Sequence, residues 1–115
     1  MSDRTEEISL RMPARVWATI DAEVDNTVSM AAENGDDEVV RVGQAIRAAG
    51  GKQVPWVDGQ WPPMGQEIAI TLTREQWDFA LAEVEDSTPI YERIGDAVSV
   101  QFGRDVIAVL RAGGI

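Results

Sequence analysis

Two of the most versatile chemical side chains are missing from this sequence: it contains neither cysteine nor histidine. That excludes thiol nucleophiles, disulfides, zinc sites built on those ligands, and imidazole acid–base catalysis. Carboxylates, hydroxyls, one tyrosine and one lysine remain. Among the carboxylates, Glu23 and Glu83 recur at the same place in two similar segments. If they face each other, such a pair could act as acid and base or hold a divalent cation. As boundary charges hydrogen-bonded to a nearby loop they need no such role. Asp36-Asp37-Glu38 has the look of a metal cluster, but it opens a helix, where capping and the helix dipole account for it. The expectation is a non-catalytic protein with no cofactor and no metal.

Four tryptophans offer a different chemistry, that of contact. Trp17 and Trp77 occupy equivalent helical positions beside an apolar stripe. They are expected to pack in the core, with a ligand-stacking pair as the alternative. Trp56 and Trp61 flank Val57-Asp58-Gly59-Gln60, and Asp-Gly is a hairpin-turn signal. If Val57 and Gln60 face each other across the turn, the two indoles form a cross-strand pair. Such a pair either pins the connector to the core or presents an aromatic patch to a partner. Trp56, Trp61 and Asp58 are accordingly the partner-binding candidates, and Glu23, Glu83, Trp17 and Trp77 the candidates at an internal axis.

The elements that position these residues follow from a repeat. Aligned without a gap, residues 7–43 and 67–103 lie 60 positions apart and agree at ten positions, among them Trp17/Trp77, Glu23/Glu83, Asp36/Asp96 and Gly43/Gly103. Glu7 to Met12 and Glu67 to Leu72 alternate polar and apolar residues, the period of a half-buried strand. Each strand leads into a helix. Pro13 suits a first helical turn, and Thr73 with Gln76 three residues on is a capping signature. Val16, Trp17, Ile20, Val24 and Val28 recur at helical spacing, as do Trp77, Ala80, Leu81 and Val84. Ser87-Thr88-Pro89 reads as a break that restarts a short helix ending near Gly95. Asp36 and Asp96 then cap a last helix, with Val39, Val42, Ile46 and Ala49, or Val98, Phe102, Val106 and Leu110, as its core stripe. Glycine inside these last helices, Gly43 and Gly103, predicts a close helix approach, to a Trp ring or across the axis.

The sequence therefore predicts one α+β domain over 1–115. Its repeats, 7–51 and 67–115, each read strand, helix, short helix, helix, and a connector rich in Trp, Pro and Gly spans 52–66. A single ribbon cannot stand alone, so the halves are expected to pack about a pseudo-two-fold axis. The strands at 7–12 and 67–72 then pair antiparallel beneath about four main helices.

Ile8-Ser9-Leu10-Arg11-Met12-Pro13, followed by Val16, Ile20 and Asp21, resembles the start of a ribbon-helix-helix unit. Residues 67–85 resemble it less well. The resemblance implies a single-chain tandem whose paired strands read the DNA major groove through Ser9, Arg11, Thr71 and Thr73, with Ala69 on the same face. In that family the unit is shorter and has no break like that at 87–95.

Charge points elsewhere. Asp and Glu number 20 against 10 Lys and Arg, a net charge of −10. The acid is spread over both halves. Nucleic-acid affinity comes largely from cations displacing counterions, and acidic surfaces are repelled by anionic membranes, so neither partner is expected. No apolar run is long enough to span a bilayer, and the polar N-terminus lacks a signal-peptide pattern. A cytoplasmic regulatory or interaction protein with a protein partner, a basic one by charge, is the reading that results. A monomer is expected because the internal repeat replaces a dimer. Self-association through the connector Trp pair is the alternative.

Overall fold

The computed structural model describes residues 3–115. Its elements run β1 (Glu7–Pro13), α1 (Ala14–Glu33), α2 (Asp37–Gly51), β2 (Glu67–Thr73), α3 (Arg74–Ile94) and α4 (Ala97–Ala112). The fold is α+β, with four helices and a two-stranded antiparallel sheet. Alternation in each strand sends Leu10, Met12, Ile68, Ile70 and Leu72 into the core and leaves Ser9, Arg11 and Ala69 outside. The register sets Leu10 opposite Ile70, with Glu7 opposite Thr73 and Pro13 opposite Glu67.

Pro13 does not enter the helix. It ends β1 and stands at the N-cap position in an extended conformation, φ −59° and ψ 144°. The first amides of α1 are satisfied instead by the connector: Ala14 N–H donates to Gln66 O and Arg15 N–H to Met64 O. On the other side, Thr73 and Gln76 form a reciprocal capping box at the start of α3. Asp36 and Asp96 cap α2 and α4 by accepting from the amides of Val39 and Ser99.

The break expected at 87–95 does not form. α3 runs through Pro89 to Ile94, so each half has one strand and two helices. Pro89 lies on the exposed face, where the carbonyl that its missing N–H leaves free can be hydrated. Just before it, the hydroxyls of Ser87 and Thr88 both donate to Val84 O within the same turn. The helix ends at Gly95, whose φ of 76° is the left-handed conformation that lets the chain reverse.

Glycines decide how the second helix of each half is rotated. A Cβ on Gly43 would lie 2.4 Å from Val28 Cγ2, and one on Gly103 2.3 Å from Thr88 Oγ1. The close approaches thus run to the long helix of the same half, not to a Trp ring or across the axis. Contact with Trp17 falls to Gly50, where a Cβ would be 1.9 Å from the ring. Turning Gly103 inward makes Val100, Val106 and Leu110 the buried face of α4. It turns Val98 and Phe102 outward, contrary to the stripe expected from sequence. On α2, likewise, Ile46 is buried while Val39, Val42 and Ala49 are only half-buried.

One core results. Trp17 and Trp77 meet edge-to-face at its centre, centroids 6.5 Å apart and planes at 89°, and both are fully buried. Arg47 ties α2 to α1 through Asp21 and Asp25 at 3.0 and 2.8 Å. Arg111 ties α4 to α3 through Glu85 at 3.1 Å.

Candidate functional site

The connector is the first candidate. Val54 is buried and anchors it. The Gln53 side chain accepts from Thr71 N–H and donates to Thr71 O, both at 2.7 Å, so it hydrogen-bonds the outer edge of β2 as a further strand would. Beyond it, Val57 and Gln60 exchange backbone hydrogen bonds around Asp58-Gly59. Asp58 and Gly59 have φ of 52° and 75°, the left-handed pair of a two-residue hairpin loop. The Trp56 and Trp61 rings lie 4.6 Å apart at 58°. Trp61 leans on the core and Trp56 donates its indole N–H to Gly51 O at 2.8 Å. Trp56 is nevertheless 43% exposed and Val57 62%. The pair is therefore both a pin and a presented aromatic surface.

The axis candidates divide. The tryptophans Trp17 and Trp77 have no accessible surface for a ligand; the Trp77 indole N–H donates to Ile8 O at 2.8 Å. Glu23 and Glu83 do not pair with each other. Glu23 accepts from the Tyr91 hydroxyl and Glu83 from the Thr27 hydroxyl, each at 2.8 Å and each across the α1–α3 contact. The Glu23 carboxylate, helped by burial, stabilises the neutral phenol and pushes the Tyr91 pKa above its ordinary value. No group of three or more carboxylates is placed to hold a metal ion among the described residues.

The strand face carries little free polarity. Ser9 is exposed, but Arg11 pairs with Glu67 at 3.5 Å. The Thr73 hydroxyl is committed to the Gln76 amide, and Gln53 takes the backbone N–H and C=O of Thr71, leaving the Thr71 hydroxyl and Ser9 as the uncommitted polar groups of this face among the described residues. The same holds over the whole body: eight arginines form ion pairs with carboxylates of the chain.

One further feature escaped the sequence reading. A cleft of about 480 Å³ opens between α1 and α4, walled by Ala18, Ala22, Tyr91, Phe102 and Met64, with Glu23 and Arg15 at its charged margins. Its volume is that of an ordinary ligand pocket. Phe102 is 44% exposed at the cleft, and outside it Ile94 is 70% and Val98 64% exposed. The signal is present in the sequence: 60 positions before Ile94 and Val98 stand Asn34 and Glu38. Helical periodicity places Val98 in the core stripe instead.

No family model, curated protein or solved structure matches the chain.

Proposed function

We propose that the chain is a non-catalytic, acidic interaction protein with a regulatory role, acting by binding a protein partner. One observation carries this reading: eight of the nine arginines are paired with the chain's own carboxylates, while large apolar side chains remain presented on firmly tied segments. The net charge of −10 then acts outward almost uncompensated by free cations. A basic protein surface with apolar anchors complements it.

The architecture behind this is proposed to be an internal duplication packed about a pseudo-two-fold axis. Support comes from the register, which puts the sequence-equivalent Leu10 and Ile70 opposite one another. The equivalent Trp17 and Trp77 also touch. Such an arrangement supplies within one chain what a homodimer supplies with two, and favours a monomer.

Affinity capture from native lysate with mass spectrometry, beside the Trp56→Ala/Trp61→Ala double variant, tests the reading. Recovery of a protein by the wild-type chain and its loss with the variant is expected. Recovery of nucleic acid alone, or of a copurifying metabolite, overturns it.

A second reading, a ribbon-helix-helix-like DNA-binding regulator, is favoured by the order strand, helix, helix in each half. It is opposed by the pairing of Arg11 with Glu67 and by the acids Asp36, Asp37 and Glu38 at the start of α2. Absence of binding to random and genomic duplexes by fluorescence anisotropy at low salt eliminates it.

A further inference from the structure

We infer that the α1–α4 cleft is the docking groove for a basic amphipathic helix of a partner protein. The inference rests on the protein-binding reading and names its site and the chemistry of its occupant. Three observations combine.

First, the apolar surface is extended. Phe102 and Met64 lie at the cleft itself. Val98 shares the Phe102 face of α4 at i,i+4 spacing, and Ile94 shares that of Tyr91 at i,i+3. Neither Ile94 nor Val98 lines the cleft, yet both are exposed, so apolar side chains continue beyond it along α3 and α4. A helix laid into a groove with anchors at i, i+3, i+4 and i+7 has the matching shape.

Second, the fold does not require apolar residues there. The equivalent positions of the first half hold Asn34 and Glu38 in the same kind of helix–helix corner, both exposed. Solvent is met by polar side chains in one half and by Ile94 and Val98 in the other.

Third, charge selects the occupant. Of the two charged residues at the cleft, Arg15 is paired with Asp105 at 3.2 Å, whereas Glu23 accepts from the neutral Tyr91 hydroxyl and no cation of the described residues forms an ion pair with it. A second copy of this chain carries the same net charge of −10 and so is disfavoured as the occupant. A helix flanked by Lys or Arg brings the opposite sign.

The probe is a fluorescein-labelled helical peptide of about five turns, with Leu at i, i+3, i+4 and i+7 and Lys on the flanks. Its comparator carries Glu in place of every Lys. Fluorescence anisotropy is expected to show the Lys peptide binding with a roughly micromolar Kd that weakens as salt rises. Phe102→Ser should weaken it about tenfold or more, as loss of a central anchor does. Val98→Ser and Glu23→Gln should each weaken it by a smaller factor; Gln still accepts from Tyr91 but carries no charge. Val98 and Phe102 are exposed, so both serine variants should keep the wild-type circular dichroism and cooperative melting.

Equal binding of the Glu peptide, or unchanged binding by both serine variants, overturns the inference. So does concentration-dependent dimerisation in light scattering that the same variants abolish, which would make the occupant a second copy. A lysate partner that survives Phe102→Ser and Val98→Ser but is lost with Trp56→Ala/Trp61→Ala also overturns it, while leaving the protein-binding reading intact.

Discussion

Gly50 and Gly51 are neighbours at the end of α2, and replacing each by alanine should have opposite consequences. A Cβ on Gly50 would sit 1.9, 2.3 and 2.8 Å from Cζ2, Cη2 and Cε2 of Trp17. Carbon atoms in contact sit at about 3.5–4 Å, so ring or helix must retreat by well over an ångström. The ring has no free direction. It is fully buried, and Trp77 stands edge-on against it at 6.5 Å. Overpacking of a filled core costs about 1–3 kcal/mol and occasionally more; the helix-propensity gain from Gly to Ala is at most about 1 kcal/mol and smaller in a last turn. The balance for Gly50→Ala is a loss of about 2 kcal/mol, or roughly 5–10 °C in Tm for a chain of this size. At Gly51 nothing lies within 4 Å of an added Cβ, so Gly51→Ala should leave Tm unchanged or raise it slightly. Thermal melting followed by circular dichroism, with urea titration for ΔG, reads both. A Gly50→Ala variant that melts at or above wild type would refute the packing of α2 on Trp17.

Gly103→Ala should cost about 1–2 kcal/mol because its Cβ would meet the Thr88 hydroxyl at 2.3 Å. Most of that should be recovered in the Thr88→Ala background, so a double-mutant cycle in urea is expected to give a coupling of about 1 kcal/mol. The chain has a single tyrosine, so an ultraviolet difference titration reports Tyr91 alone. Its midpoint should lie above the ordinary value of about 10 and move back towards it in Glu23→Gln. Because the folded pKa is the higher one, the associated stability is complete below pH 10 or so and is lost as pH rises through the folded midpoint; Tyr91→Phe should remove that alkaline loss. Gln53→Ala should leave the β2 edge unpaired at Thr71 and cost about 1–2 kcal/mol for two hydrogen bonds, read as faster hydrogen exchange of the Thr71 amide with the rest of the sheet protected.

Much of the fold is legible in local pattern. Alternation at 7–12 and 67–72 marks both strands, Thr73 and Gln76 mark a cap, and Asp58-Gly59 marks a turn, because each signal lies within a few residues of its effect. What was illegible depends on partners distant in sequence. Pro89 reads as a break from its own chemistry alone; only its placement on the exposed side of a packed helix lets α3 continue through it. The stripe Val98, Phe102, Val106 and Leu110 satisfies helical periodicity as well as Val100, Gly103, Val106 and Leu110 does. The choice between them is made by how close α4 comes to Thr88, and periodicity carries no information about distance. The cleft is hidden in the sequence for the same reason: periodicity turns Phe102 inward, and Tyr91 of α3 and Met64 of the connector meet it only through the packing of α1, α3 and α4.

The proposed docking surface lies where the two segments differ most in exposed residue type. At buried positions 60 residues apart the types stay close: Trp17 and Trp77, Val24 and Val84, Leu10 and Ile70. At exposed places packing demands nothing in either half, and solvation alone favours polar residues in both. Asn34 and Glu38 follow that expectation, whereas Ile94 and Val98 depart from it with most of their surface in water. Two neighbouring departures, beside a cleft that holds the carboxylate of Glu23, are hard to attribute to the fold, which gains little from them. In the docking proposal a complementary apolar surface covers them, and the unpaired carboxylate of Glu23 favours a basic one.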